Sequence, residues 1–560
     1  MRLNGEVPSE LITALSADLT AARFTVGALT SLWGTDAATA LHRNQRVPAL
    51  RAIAARTAAA ANAAVSAEAA VSAEDATAPD HPATANPGAL ATLARLFVLG
   101  LPVPTLQLAE ALPQLGAAGA ESLGLVTLTA TGEAIPALDL RPYSYTDSRG
   151  VGSWWIASDL GELALGGAIP ERHVLGVGGA SLTLSGLMIP DQVYSVLDLG
   201  TGCGIQALHA SRHATRVVAT DISERALELA AFNAELNGIT SIEFRLGSLF
   251  EPVVGERFDH IISNPPFVIT PRTTGVPSYD YRDGGLEGDA IVESVIRGVE
   301  AHLNPGGVAQ LLGNWEYRDG AGGLDRVSGW LDEREPGACG LDAWVIEREV
   351  QSVTEYAETW IRDGGTVAGS AEFDALYGAW LDDFERRGVS RVGFGYITLG
   401  RPVSGAPTLR RIEQLDGAVG ANDSGLGPHL AATLSASRWV AGLDDSSLAR
   451  TILEVAGDVT QESHYWPGDE DPSAITLHQG GGFARSVAAG TVLAAVVGAC
   501  DGELSVAAIG GAIAQILEVD EDELLAEVLP SVRELIITGM LSPVSHPVPT
   551  PLPPSVEAVL

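Results

Sequence analysis

The chain predicts an α/β protein: a Rossmann-like, seven-stranded, doubly wound sheet flanked by N- and C-terminal, mainly helical modules of winged-helix type. Three observations carry this expectation. From Tyr194 onward, short β-rich runs alternate with segments of helical period, the pattern of parallel βαβ units. The first of those runs ends in a glycine-rich turn, V-L-D-L-G-T-G-C-G at 196–204. At 560 residues the chain is also too long for one hydrophobic core, so further domains are expected on either side.

In chain order, residues 1–140 read as a helical, winged-helix-like module. LITALSADL, FTVGALTSLWG and ATALHR are short amphipathic helices, ALATLARLFVLG is another, and GLVTLTATGEAIPAL is two short strands around a Thr-Gly turn. Within this module, residues 57–88 are Ala/Ser/Pro-rich and almost without large apolar side chains, so a flexible, disordered insertion is expected there. Residues 141–190 form a connecting segment that includes a pocket loop. Residues 191–405 are the catalytic domain, with strands SVLDLG, HATRVVATD, SIEFRLGS, FDHIISNPPF, GGVAQLLGNW, AWVIEREV and VGFGYITLG. Residues 416–541 form a strongly acidic, winged-helix-like module, and 542–560 a Pro-rich tail.

Composition excludes several functions. The chain is 46% hydrophobic and 18% charged, an ordinary globular balance. Seventy acidic residues face 33 basic ones, a formal charge of −37, which argues against charge-driven nucleic-acid binding over the whole surface. Every basic residue is arginine, so Schiff-base, P-loop-lysine and kinase-lysine chemistries are out. Cys203, Cys339 and Cys500 lie far apart without ligand spacing, so neither a disulfide framework nor a metal site is expected. The start lacks a signal-peptide pattern, and the longest apolar run, 486–500, is too short to span a bilayer. The expectation is a reduced, cytoplasmic protein without membrane attachment.

The chemistry concentrates in two runs. Glycines at 200, 202 and 204 permit a tight turn and close ligand approach, but the spacing is G-x-G-x-G, and no cationic side chain stands near to neutralise a pyrophosphate. Asp221 closes the second strand, where an acid accepts hydrogen bonds from ribose hydroxyls. A glycine loop and a ribose acid without phosphate machinery describe a nucleoside ligand, and S-adenosylmethionine is the obvious one. The second run is I-I-S-N-P-P-F at 261–267, at the carboxyl end of the fourth strand. Its prolines remove two backbone donors and leave carbonyls to accept. The Asn264 side-chain oxygen and the Pro265 carbonyl can each take one hydrogen of a planar –NH2 group, and Phe267 can stack on the target.

Together these residues resemble the class I S-adenosylmethionine-dependent N-methyltransferases with an Asn-Pro-Pro-aromatic motif, the methyltransferase small-domain and HemK-like group. The resemblance covers residues 173–320 and extends toward 405. It implies a cofactor held by Asp198, Gly200, Thr201, Gly202, Gly204, Asp221, Ile222, Ser248, Leu249 and Asn264. Asn264, Pro265, Pro266 and Phe267 would surround the target amine, with Tyr281, Arg282 and Asp283 as further substrate contacts or a helix-capping turn. The stretch 173–184 corresponds to the cofactor-pocket loop, in which His173 is as much a candidate structural histidine as a pocket residue. Where the group usually has an acid facing the adenine amine, this chain has Ser248, which implies weaker adenine recognition. Cys203 reads as a small packing residue.

The expected reaction is methyl transfer to an exocyclic amine or amide nitrogen of a macromolecule, without a metal. RNA is favoured as the acceptor, with DNA also open, because winged-helix-like modules flank the domain and His42, Arg43, Arg46, Arg51 and Arg56 form an acid-free basic stretch. The alternative is a protein glutamine, favoured by net charge and by the Gly-rich segment 283–288. A reading of another class is a binding scaffold with a vestigial pocket.

Overall fold

The computed structural model describes residues 9–71, 87–166, 169–279, 281–333 and 339–544, with backbone only for 60–71 and 87. The chain divides into two units, residues 1–405 with 412–414 and residues 406–411 with 415–560.

The first unit is built on β1 (Val193–Leu199), β2 (Ala214–Asp221), β3 (Ile242–Leu246), β4 (Phe258–Ser263), β5 (Leu303–Arg318), β6 (Asp342–Ser352) and β7 (Val389–Gly400). A short eighth strand, β8 (Arg410–Gln414), adds to one edge, and the sheet order is β3-β2-β1-β4-β5-β7-β6-β8. Strands β1 to β5 pair in parallel, while β7 runs antiparallel to both β5 and β6. The order reverses at β1, so the switch point lies between β1 and β4, where open α/β sheets bind ligands.

Helices α1 (Gly179–Leu187), α2 (Ile205–Ala210), α3 (Glu224–Leu236), α4 (Ala290–His302) and α5 (Gly323–Asp332) accompany the sheet. Between β6 and β7 lie α6 (Val353–Asp363) and α7 (Ala371–Arg386). Their starts are written in sequence: Ser223 caps α3, Ser352 and Glu355 form a capping box on α6, and Ser370 caps α7.

The N-terminal module consists of helices Ser9–Ala21, Val26–Trp33, Thr35–Leu41 and Val47–Val71, then Pro87–Leu93 continued by a π-turn. A three-stranded sheet follows (Val103–Pro104, Glu133–Pro136, Val126–Leu128). The last two strands are the pair expected around the Thr-Gly turn. The expected flexible insertion is corrected over its first half: residues 57–71 continue a helix, because alanine lacks bulk but is the strongest helix former. Residues 72–86 lie outside the described residues.

A hairpin, Asp139–Asp147 with Gly150–Ser158, occupies the segment read as a connector. It joins the module to the domain through one continuous core that includes Leu19, Phe24, Leu140 and Ile156 with Leu229 and Phe232 of α3. Two asparagines complete the join, Asn233 in α3 and Asn237 at its C-cap. Asn233 donates to the carbonyls of Ala157 and Cys203 (both 2.9 Å) and accepts from Ala157 N–H (2.7 Å). Asn237 accepts from Trp155 N–H (2.9 Å) and donates to its carbonyl (2.8 Å).

The second unit holds helices Gly427–Ala441, Thr491–Gly498, Val506–Leu517 and Glu521–Ile537 around two three-stranded sheets. The six strands among its described residues were not anticipated. The last, Leu541–Pro543, corrects the expected start of the tail, since it pairs with Ile452–Val455; residues 545–560 lie outside the described residues. No helix among the described residues is long and apolar enough to cross a membrane.

Replacing Asn233 by Leu strands three buried backbone groups. The expected loss is about 3 kcal/mol of unfolding free energy, measured by urea denaturation.

Candidate functional site

Register places the carboxyl ends of four strands side by side: Leu199 lies opposite both Thr220 and Ser263, and Asp221 opposite Leu246. The loops that follow, beginning at Gly200, Ile222, Gly247 and Asn264, therefore open on one edge of the sheet. Gly200 and Thr201 N–H both donate to the Thr220 carbonyl (2.9 Å each), and Ser263 Oγ donates to the Leu199 carbonyl (2.8 Å). Gly200, Gly202 and Gly204 have φ of 79°, 56° and 88°, a left-handed backbone that favours glycine. Gly204 also approaches α3 so closely that a Cβ there would meet Ala230 at 3.0 Å.

Between the loops lies a cavity of ≈180 Å³, room for about a dozen waters. Of the expected residues, its wall includes Gly200, Thr201, Gly202, Asp221, Ile222, Ser248, Leu249, Asn264, Pro265, Pro266 and Tyr281. Loop 173–184 adds His173–Gly176 and Ser181, and Gln206 backs it by donating to the Ser181 carbonyl (2.8 Å). The apolar wall from Ile291 and Val295 of α4 was not anticipated, because nothing in a helical apolar stripe distinguishes a cavity wall from core.

Asp221 is held by two backbone donors, Gly202 N–H to Oδ2 and Ser223 N–H to Oδ1, both at 2.9 Å. It thereby ties the glycine loop to the start of α3. Leu249 has φ of 46°, a strained conformation held at the wall. Asn264 lines the cavity, and its Oδ1 is buried without a hydrogen-bond partner.

Five expected contacts lie elsewhere. Asp198 is fully buried beneath the loop, where Oδ2 accepts from Thr201 Oγ1 (2.6 Å) and Oδ1 has no partner. Burial pushes its carboxyl up to about 7. Gly204 faces α3 rather than the cavity. Phe267 turns away from it, because its backbone bridges Asp283, and its ring meets Trp360 and Phe394 edge-on, both at 6.5 Å. Arg282 is buried as a brace: it donates to the Trp360 carbonyl (2.7 Å) and Asp363 (2.9 Å) and lies 4.4 Å over the Tyr279 ring. Asp283 accepts from Thr270 Oγ1 and Tyr279 N–H. These residues fix the loop after Pro266 against α6, whose Tyr356 hydroxyl accepts from Ile269 N–H (2.9 Å) and Asn314 (2.8 Å).

The wall therefore offers carboxylate, amide and carbonyl oxygens, and no lysine or arginine is among its residues. A pyrophosphate would find no counter-charge there. A cationic nucleoside with ribose hydroxyls fits, which is the chemistry of S-adenosylmethionine. Among the described residues no group of three or more His, Cys, Asp or Glu could hold a metal ion.

The family described as Methyltransferase small domain matches residues 178–318, and a Domain of unknown function (DUF7059) matches 21–66 and 58–137. A release factor glutamine methyltransferase of Xylella fastidiosa is 40% identical over 130 residues, 22% of this chain and 47% of that protein. A ribosomal protein uL3 glutamine methyltransferase of Bradyrhizobium diazoefficiens is 35% identical over 151 residues, 25% of this chain and 46% of that protein. The chain thus spans just under half the length of these relatives. Among solved structures, a Thermus thermophilus 16S rRNA methyltransferase with AdoMet and guanosine is 21% identical over 38% of this chain and 55% of its own, with a TM-score of 0.24.

The Asp198 carboxyl has a pH signature. Its folded value lies well above the ordinary 3.8, so below about pH 4 both states are protonated and nothing is lost. Between about pH 4 and 7 the unfolded chain releases the proton first, and stability falls as pH rises. Asp198→Asn should therefore raise unfolding free energy by a few kcal/mol at pH 8 and leave it unchanged at pH 4, measured by urea titration of the ligand-free protein.

Proposed function

We propose that this chain is an S-adenosylmethionine-dependent methyltransferase acting on the side-chain amide nitrogen of a protein glutamine. The observation that carries the reading is Asn264: a buried amide oxygen without a hydrogen-bond partner, on a residue followed by two prolines in the wall that also holds the glycine loop and Asp221. The substrate class draws on the relatives, which are named for glutamine in a release factor and in a ribosomal protein. The RNA reading loses support from two sides. Its basic stretch is partly spent on the fold, since Arg46 donates to the carbonyls of Leu99 (3.3 Å) and Leu163 (3.2 Å), and Arg43 to that of Thr39 (3.2 Å). The ring expected to stack on a base, Phe267, packs into the protein.

The bound cofactor supplies an electrophilic methyl group on a sulfonium. Asp221 accepts from the ribose hydroxyls while keeping the glycine loop and α3 in register. Asn264 Oδ1 and the Pro265 carbonyl accept the two amide hydrogens and hold the nitrogen in one orientation, so that its lone pair is drawn out of conjugation. Most of the acceleration comes from this positioning in a preorganised polar site. The amide proton leaves past Asn264 to water. A reduced, cytoplasmic setting suits the three free cysteines.

The test is incubation of purified protein with methyl-labelled cofactor and fractionated cell extract, followed by mapping of the label. Label on a glutamine of a protein supports the reading, and label confined to RNA or DNA overturns it. Asp221→Ala should weaken cofactor binding by about 10- to 100-fold in isothermal titration. Asn264→Ala should keep cofactor binding while losing about 100-fold or more in kcat. Equal loss of cofactor affinity in both variants would count against separate roles.

A further inference from the structure

We propose that His173 donates a hydrogen bond from Nε2 to the carbonyl oxygen of the acceptor amide, so that the cleft recognises a primary carboxamide by its oxygen as well as its nitrogen. This inference rests on the glutamine reading above and goes beyond it by assigning the second half of amide recognition.

His173 is 3% exposed, lines the cavity, and has Nε2 buried without a hydrogen-bond partner. Its position assigns it to the acceptor side. Its ring meets Tyr281 edge-on, with centroids 5.8 Å apart. Tyr281 opens the segment that lies antiparallel to the exit of the Asn-Pro-Pro loop, where Val268 N–H donates to the Arg282 carbonyl (2.9 Å) and Phe267 bridges Asp283. That is the β4 side of the sheet. The ribose and adenine positions, Asp221–Ser223 and Gly247–Leu249, follow β2 and β3 on the other side of β1.

The chemistry calls for such a donor. A primary carboxamide presents two N–H groups and one oxygen. In this reading Asn264 Oδ1 and the Pro265 carbonyl act as acceptors for the two N–H groups, so the amide oxygen calls for a donor from elsewhere on the wall. Three other polar side chains on the wall are engaged within the protein: the Tyr281 hydroxyl with Asp363 (3.1 Å), the Ser263 hydroxyl with the Leu199 carbonyl (2.8 Å), and the Gln206 amide with the Ser181 carbonyl (2.8 Å). Burial keeps the imidazole below its ordinary value despite the pull of Asp159 and Asp363, so near neutral pH the ring is uncharged and carries a single N–H. A neutral donor suits an amide oxygen. An alkylammonium in the same place would leave Nε2 without a partner.

The test uses the full chain, a peptide spanning the labelled glutamine, and the same peptide with ornithine, in which the side-chain carbonyl becomes CH2. Wild type should bind the glutamine peptide at least tenfold more tightly than the ornithine peptide. His173→Leu should raise KM for the glutamine peptide by tenfold or more and abolish that preference, with the Kd for S-adenosylmethionine unchanged within twofold. His173→Gln, which restores an N–H, should recover most of the loss. In the wild type, the 15N-labelled Nε2 resonance should shift on adding the glutamine peptide, a measurement independent of how the variants fold. An unshifted resonance, an unchanged KM, or a loss of cofactor affinity in its place overturns the assignment to the acceptor. If no glutamine acceptor is methylated by the wild type, the glutamine reading itself fails and this inference with it.

Discussion

The cleft depends on one backbone oxygen. The Thr220 carbonyl at the end of β2 accepts from both Gly200 and Thr201 N–H, and this folds the chain back over the end of β1 as a turn rather than letting it run on. The left-handed glycines make the turn possible, and Asp221, the next residue, secures its far side through Gly202. Ser263 ties β4 to the same point through the Leu199 carbonyl. The glycine loop, Asp221 and Asn264 are thus brought together by one strand-end register. A slip of a single residue would separate them.

Around this centre the protein has built two unlike walls. On the side of the glycine loop the wall is backbone and short side chains, which permit close approach. On the side of the Asn-Pro-Pro loop it is braced from outside the cavity by α6, whose Tyr356, Trp360 and Asp363 receive the loop exit, Phe267 and Arg282. This bracing explains why residues so close in sequence to Asn264 do not face the cavity. Phe267, Arg282 and Asp283 hold the loop still, and their polar and aromatic groups are spent on that task.

The parts legible in the sequence were those whose chemistry is contiguous. G-x-G-x-G and Asn-Pro-Pro act through their own backbones, and the strand runs declare themselves by length and branching, so the sheet and the location of the cleft could be read directly. What escaped depends on partners distant in the chain. The direction of Phe267 is set by Asp283 and by Trp360. The hairpin over 139–158 is held by asparagines on α3, some 80 positions later, which no local pattern announces. The helix over 57–71 was misjudged for another reason: poverty in bulky side chains was taken for absence of structure, although alanine needs no burial to favour a helix. The RNA reading leaned on the basic stretch as surface, and it lost that support once Arg46 was seen bonding to the carbonyls of Leu99 and Leu163.

The Asn233 side chain grips the N-terminal hairpin with one set of hydrogen bonds and the Cys203 carbonyl, inside the glycine loop, with another. Module and loop are therefore mechanically joined through a single rigid amide. The hairpin and the glycine turn thus share one support. A change at Asn233 would therefore loosen two places at once, the hairpin that carries the module and the turn at Cys203, whereas cutting the module away would leave the Asn233–Cys203 bond in place.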